Sequence, residues 1–490
     1  MKTFSIYTLG CKVNQYESQQ IRQFLEDKGL QGVKPDDKPD LFIINTCCVT
    51  ATASAKSRQY IQRAGKLNPK AVQIICGCLA TLQTQELRYK NNNAPHIITD
   101  RTGLAAKLQQ IIGRTLSEDS SVALPLLTGF KGQTRAFLKV QDGCDGVCSY
   151  CIVPKVRPDV QSKPIEDAVT EAKALVSAGH KEIVVTGVNL GTYGHQTVRR
   201  TGEQESRGSE NLEFRIENEE CGNNEKLPYL LTTLAGIPEL MRIRVSSLEP
   251  GDISEQLLDV FCGHKNIMPH IHLSVQSGSD AILKRMCRQY DAAELWGKIA
   301  LIKSRLDRPA ITCDMIVGFP GEAEEDFQET VELAKWAGFS KMHVFGFSLR
   351  EGTAAAKMKD RIQPKVVKER AEILRKLGDE LGWKFREQFI GETCEVLLED
   401  TKTPSGRCER YFMVQIQGQK GEVRRKKAGI TDYADCTDSV DPLLQDQRSR
   451  FSGTPANDMR VQAGGRMRKN EIVKVRITAV TPEGAGGEVF

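Results

Sequence analysis

Short apolar runs alternate with amphipathic helical stretches along most of this chain, and that alternation constrains its fold more than any other feature. Residues 1–125 carry the runs FSIYTLG (4–10), LFIINT (41–46), VQIICG (72–77) and HIIT (96–99), separated by patterns such as NQYESQQIRQFLEDKG (14–29). This βαβα order predicts an open parallel sheet, because neighbouring parallel strands need a crossover and a helix supplies it. The polar segment 113–135 is mostly linker. A second series follows over 136–388: AFLKVQ (136–141), EIVVTG (182–187), MRIRVSS (241–247), HIHLSV (270–275), AITCDMIVG (310–318) and MHVFGF (342–347). Six such units predict a partial (βα)6 barrel of TIM type. Over 389–490 the helical period disappears. TCEVLLE (393–399), ERYFMVQI (409–416) and EIVKVRITAV (471–480) alternate as strands do, which predicts a small C-terminal β-barrel. Segments 195–226 and 417–470 are polar and Gly-rich and read as insertions.

The 490 residues are 40% hydrophobic and 27% charged, enough for several cores. No apolar run approaches the roughly 18 residues of a membrane span. The start, MKTFSIYTLGCKVNQ, lacks a signal-peptide layout, so a cytoplasmic protein with no membrane partner is expected. Without that layout, fifteen cysteines point to metal ligands or catalytic thiols before disulfides. A net charge of +5 permits a nucleic-acid partner without requiring one.

Cys144, Cys148 and Cys151 stand at C-x3-C-x2-C in GCDGVCSYCIVP, directly after the first barrel strand. Barrel enzymes carry their chemistry at that face. A closed 4Fe-4S site takes four thiolates, so three would leave one iron open to another ligand. Zinc fits poorly: the nearest histidine, His180, lies beyond zinc-finger spacing.

Three further cysteines end strands of the N-terminal domain: Cys11 in TLGCKVNQ, Cys47 in INTCCVT and Cys78 in ICGCLA. Ligands in open α/β sheets gather at the carboxyl ends of strands, so these three should converge on a second cluster. Cys48 and Cys76 compete for two of the positions; both read more naturally as buried structural thiols. Cys221, Cys262, Cys287, Cys313, Cys394, Cys408 and Cys436 form no spacing pattern.

The C-x3-C-x2-C trio, with Tyr150 before its last cysteine, resembles the signature of the radical SAM enzymes. With TLGCKVNQYES, INTCCVT, TGVNLGTYG and RIRVSSLEP, nearly the whole chain resembles the methylthiotransferases of that superfamily. These four segments look most like the branch acting on N6-threonylcarbamoyladenosine of tRNA. The resemblance implies two 4Fe-4S clusters and S-adenosyl-L-methionine as cofactors. It implies cluster ligation by Cys144, Cys148 and Cys151 for cofactor cleavage, and by Cys11, Cys47 and Cys78 for the sulfur-bearing auxiliary cluster. It implies cofactor contacts from Tyr150, Thr186, Gly187, Val188, Asn189, Ser247, Glu249 and Gln276. The implied partners are a tRNA anticodon stem-loop, modified at C2 of the adenosine at position 37, and a low-potential reductant of flavodoxin or ferredoxin type. The N-terminal domain would dock on the open mouth of the barrel, and the C-terminal barrel would bind RNA.

Arg242, Arg244, Arg424, Arg425, Lys426 and Lys427 are candidates for phosphate contacts, and Tyr411 and Phe412 for base stacking, although core packing suits the two aromatics better. One departure from the family pattern follows the barrel trio: PKVRPDVQSKP keeps Arg157 but places Pro158 where glycine is usual, which puts the loop's shape in doubt. Three alternatives stay open: the isopentenyladenosine branch, a ribosomal-protein substrate, and a non-enzymatic iron–sulfur electron carrier.

Overall fold

The computed structural model describes residues 1–84, 87, 95–113, 123–195, 226–416, 467–481 and 484–489. Most of both insertions, including Cys221, Cys436 and Arg424–Lys427, lies outside the described residues.

The N-terminal unit is an all-parallel sheet of β1 (Thr3–Thr8), β2 (Gln31–Gly32), β3 (Leu41–Thr46), β4 (Val72–Gly77) and β5 (His96–Ile97), in the order β2-β1-β3-β4-β5. Every residue of the central β3 is buried, as expected of a strand covered on both faces. Helices α1 (Lys12–Asp27), α2 (Ala51–Leu67) and α3 (Cys78–Leu82) leave the ends of β1, β3 and β4. The two-residue β2 has no apolar run and was invisible to pattern.

The barrel unit holds β6 (Ala136–Lys139), a short antiparallel pair β7 (Gln141–Asp142) and β8 (Gln161–Ser162), β9 (Glu182–Thr186), β10 (Arg242–Val245), β11 (His270–Gln276), β12 (Ala310–Val317) and β13 (Lys341–Gly346). The six long strands form two parallel sheets, β6-β9-β10 and β11-β12-β13. Parallel bridges Ile243–Ile267 and Leu248–Leu273 join them into one curved, open wall. One continuous hydrophobic core lies between this wall and its helices.

Helix α1 rests on the barrel. Tyr16 belongs to the barrel core, and the linker runs back along the same helix, with Gln20 and Gln23 donating to the carbonyls of Pro125 and Leu126. At the other end, Pro364–Glu387 forms a long helix leading into a closed barrel of β14 (Thr393–Asp400), β15 (Ser405–Cys408), β16 (Met413–Ile416), β17 (Ile472–Val480) and β18 (Ala485–Val489). The sequence pattern missed β15 and β18: SGRC and AGGEV lack the β-branched alternation that marks a strand.

Arg242 and Arg244 are not available to RNA. Both are 1% exposed and share Glu182, which is fully buried. Their terminal amino groups reach carbonyls of the C-terminal barrel: Arg242 to Glu395 and Arg407, Arg244 to Cys408 and Glu409. Their charge fixes one domain to the next. Tyr411 stacks on His270 at 4.3 Å under the guanidinium groups of Arg135, Arg244 and Arg407, and Phe412 packs on the core of the small barrel. Among the described residues no helix is long and apolar enough to cross a membrane.

Candidate active site at the mouth of the barrel

Strand ends position the N-terminal thiols. Gly10, at φ +99, turns the chain out of β1 so that Cys11 caps α1, and a Cβ on Gly10 would lie 2.7 Å from Cys47 Cβ and 2.8 Å from its Sγ. Cys47 follows β3, its N–H donating to Ser57 Oγ. Gly77, at φ +86, turns β4 into α3 with Cys78 as the first helical residue; a Cβ there would strike the Thr46 carbonyl oxygen at 2.4 Å. Asn14 ties the turns together, its Nδ2 donating to the carbonyls of Leu9 (2.7 Å) and Thr46 (2.9 Å).

The electrostatics record the convergence. Burial pushes Cys47 up to about 12, and the neighbouring Cys78 and Cys11 thiols add to the rise. Cys11 keeps an exposed face but is also raised, first by the protein crowded around it, with Arg157 opposing and Cys78 reinforcing. Cys78 is lowered: the neighbouring Cys48 thiol, Arg157 and Arg101 favour its thiolate against the effect of burial. Cys48 is buried and lies beside Cys78. Cys76 is buried within β4, where burial lifts it to about 12.

The barrel trio sits in a loop closed at its base by β7 and β8. Gly143, at φ +79, backs onto Asp159 so tightly that a Cβ would lie 1.9 Å from the Asp159 carbonyl oxygen, so the loop closes with Pro158 in place. Cys144 Sγ accepts from Gly146 N–H at 3.3 Å, Cys151 Sγ from Val153 N–H at 3.4 Å, and Cys148 Sγ from Arg288 Nη1 at 3.2 Å. Ser149 fastens the loop to the carbonyls of Met286 and Arg285. Burial raises Cys144 and takes Cys151 to about 12, the other thiols of the loop adding to each.

The other expected positions lie around this loop. Tyr150 packs edge-on to Phe319 at 6.3 Å, its hydroxyl 3.5 Å from Arg288. Thr186 ends β9; Gly187 leaves room for Gln141, whose Oε1 accepts from Asn189 N–H at 2.8 Å; Val188 lies between them, half-buried. Ser247 is exposed just past β10, and Glu249 pairs with Arg288 at 3.0 Å. Gln276 ends β11 at φ +65, a conformation a non-glycine residue rarely takes. Pattern alone missed Arg288, Gln141, Arg101 and Arg350. The last of these bonds Ser54 of α2 from the loop after β13, beside Cys47 and Cys48. Isolated arginines and glutamines carry no spacing signal.

The floor of the mouth is polar. His272 on β11 pairs with Asp314 on β12 at 3.3 Å and meets Thr312 Oγ1 at 2.8 Å; His343 on β13 stands edge-on to His272 at 5.7 Å. Lys12, next to Cys11, adds its field to those of the two histidines in holding the Asp314 carboxyl below its usual range against the effect of burial.

Both trios are all-thiol donor sets with no carboxylate or imidazole among them, the chemistry iron–sulfur clusters use. Among the described residues, no His/Cys/Asp/Glu group is arranged for a single metal ion. A cubane binds each thiolate to a different iron and spreads its ligands wider.

Three closely spaced thiols after the first strand of a six-stranded parallel wall are a donor set able to hold an iron–sulfur cluster. The model described as Radical SAM superfamily matches residues 138–334, and that described as Uncharacterized protein family UPF0004 matches residues 3–99. The threonylcarbamoyladenosine tRNA methylthiotransferase MtaB of Chlamydia pneumoniae is 34% identical over 81% of this chain and 87% of its own. That of Bacillus subtilis is 34% identical over 85% and 91%. The tRNA-2-methylthio-N(6)-dimethylallyladenosine synthase of Pelotomaculum thermopropionicum is 31% identical over 82% and 88%. The chain belongs to the radical SAM tRNA methylthiotransferase family, and it is an enzyme of the transferase class.

Proposed function

We propose that this enzyme adds a methylthio group to C2 of N6-threonylcarbamoyladenosine at position 37 of tRNA, with Cys144, Cys148 and Cys151 holding one 4Fe-4S cluster and Cys11, Cys47 and Cys78 a second. The observation that supports this is the docking of the N-terminal strand ends onto the loop of Cys144, Cys148 and Cys151, through Arg157 to Asn14 and Glu17 and through Arg101 from Cys78 to the Val156 carbonyl. When bound, the clusters supply an electron to S-adenosylmethionine and a sulfur atom for transfer; an adenine C2–H has no acidity that side chains could exploit, so the hard step belongs to the cofactors.

The residues of the chain bind and orient. Arg288 joins Cys148 to Glu249, which places a carboxylate beside the barrel trio for the amino group of S-adenosylmethionine. Gln141 holds the Asn189 backbone against the same loop, with Thr186, Gly187, Val188, Ser247 and Gln276 completing the rim. Tyr150 supports the loop from its outer side. Lys12, His272 and His343 suit a polar, carboxylate-bearing N6 group better than a hydrocarbon one, which favours the threonylcarbamoyl substrate over the dimethylallyl one. The C-terminal barrel, with Lys474 and Arg476 exposed on β17, would grip the anticodon stem. A flavodoxin or ferredoxin would deliver electrons.

Nucleoside mass spectrometry of tRNA from cells lacking the gene tests this. Loss of the 2-methylthio-threonylcarbamoyl nucleoside, with its unthiolated precursor accumulating, is expected. Loss of the dimethylallyl counterpart instead, or of a ribosomal-protein modification, would overturn the substrate assignment.

A further inference from the structure

We infer that Arg157 is a positioning residue that sets the separation and mutual orientation of the two cysteine trios; this rests on the two-cluster function proposed above. Arg157 lies six residues past Cys151, and its side chain is 3% exposed. On the barrel side its carbonyl accepts from Cys144 N–H at 2.9 Å, and Nη1 donates to Asp142 Oδ1 at 2.6 Å. Asp142 Oδ1 also accepts from the N–H of Gly143, the residue before Cys144. On the N-terminal side Nη1 and Nη2 grip both carboxylate oxygens of Glu17 at 2.8 Å, and Nη2 donates to Asn14 Oδ1 at 3.1 Å. Asn14 in turn holds the Leu9 and Thr46 carbonyls, just ahead of Cys11 and Cys47.

One planar group thus spans from the backbone of the first barrel thiol to the turns carrying two N-terminal thiols. Lys139 pairs with both Glu17 and Asp142, so two cations face two carboxylates and the buried set is neutral. Lysine could match the charge but not the fork that meets Glu17, Asp142 and Asn14 together. Other links between the two units, such as Arg101 to the Val156 carbonyl, Arg350 to Ser54 Oγ, Tyr16 to Glu171 and Ala51 N–H to Ser348 Oγ, join them without touching the backbone around Cys144. A displacement of about 1 Å between reacting groups costs about a hundredfold in rate, so this bridge should govern transfer between the sites more than events at either one.

The test compares full-length, anaerobically reconstituted protein with Arg157→Gln, Arg157→Lys and Glu17→Gln. Four quantities are read: iron content, 5′-deoxyadenosine released, methylthio-nucleoside formed, and the magnetic coupling between the two reduced clusters in electron paramagnetic resonance. The expected result is unchanged iron and 5′-deoxyadenosine within about threefold of wild type. Methylthio-nucleoside falls at least about tenfold in Arg157→Gln and less in Arg157→Lys, with altered cluster coupling in both. In the iron-free protein, amide exchange of residues 9–17 and 142–146 should quicken together in Arg157→Gln. Proportional loss of both products, or unchanged coupling and exchange, overturns the inference. Should Arg157→Gln fail to fold, Glu17→Gln removes the charge of the same bridge from the other side and decides on the same criteria. Failure of the function itself looks different: wild type would then bind no more than about four irons or form no methylthio product.

Discussion

The two cysteine trios are built by different routes. The barrel trio is local: its cysteines lie within eight residues of one loop, Cys144 and Cys151 held by N–H groups of that loop and Cys148 by Arg288. The N-terminal trio is assembled from three strand ends, 36 and 31 residues apart in sequence, and exists only because parallel pairing sets Thr8 beside Asn45 and Thr46 beside Gly77. A local site can form as soon as its loop closes. An assembled site inherits the register of a sheet and the docking of a domain, so it should be the more fragile of the two and the one that distant changes disturb.

Cysteine replacement breaks the comparison most sharply. Cys148→Ser should abolish both 5′-deoxyadenosine release and methylthiolation, whereas Cys47→Ser should abolish only methylthiolation, with iron falling from about eight to about four per chain in each. Cys76→Ala and Cys48→Ala should keep their iron, although the second removes the thiol beside Cys78. Iron analysis beside product quantification checks all four; full iron in Cys47→Ser together with loss in Cys48→Ala would exchange their roles.

The next largest effect is at the docking bridge. Glu17 and Asp142 both sit below the usual carboxylate range: burial alone would raise them, but Arg157 and Lys139 outweigh it. An acid whose folded pKa is depressed contributes stability above its unfolded pKa, roughly 4, and loses it as pH falls through the lower folded value. The junction between the N-terminal sheet and the barrel should therefore hold at pH 4 and loosen only in stronger acid. Glu17→Gln leaves Arg157 short of a charge and should cost about 3 kcal/mol at neutral pH, with a shallower acid limb in chemical denaturation.

The two trios also differ in how much could be read beforehand. The barrel loop was legible from spacing alone, because its chemistry is written in consecutive residues. For the N-terminal trio, Cys11, Cys47 and Cys78 could be placed at strand ends, but Cys48 could not be seen to touch Cys78, since that contact depends on how the chain leaves β3. Arg242 and Arg244 misled for a related reason. Arginines in a strand read as surface charge until Glu182, on a neighbouring strand far away in sequence, is found opposite them. Strands such as β15 and β18 escaped because barrel closure, not their own composition, makes them strands.

Glycine substitutions sharpen the same contrast at smaller cost. Gly10→Ala must hold φ +99 and push a methyl against Cys47, an expected loss of about 2 kcal/mol with weakened iron retention at the N-terminal trio. Gly146→Ala meets only the Cys144 Sγ at 3.1 Å and has ordinary φ, so a loss under about 1 kcal/mol is expected with the barrel cluster retained. Equal losses would mean that the assembled site is no tighter than the local one.

The smallest effect concerns Asp252, on the barrel side alone. Its carboxyl accepts from Glu249 N–H at 2.7 Å, and burial followed by the nearby Glu249 charge raises it to about 6. Here the sign is opposite to that at the docking bridge. Between roughly pH 4 and about 6 the unfolded chain ionises while the folded one still holds its proton, so stability falls as pH rises through that window and is level beyond it. Asp252→Asn keeps the bond to Glu249 and has no proton to lose, so it should flatten the slope by less than about 1 kcal/mol, since the group is partly open to solvent. Denaturation midpoints of wild type and variant at pH 4.5 and 7 would check it. An effect as large as that of Glu17→Gln would mean that the Glu249–Arg288 side depends on long-range charge as strongly as the docked interface, and the distinction between a self-contained loop and an assembled site would fail.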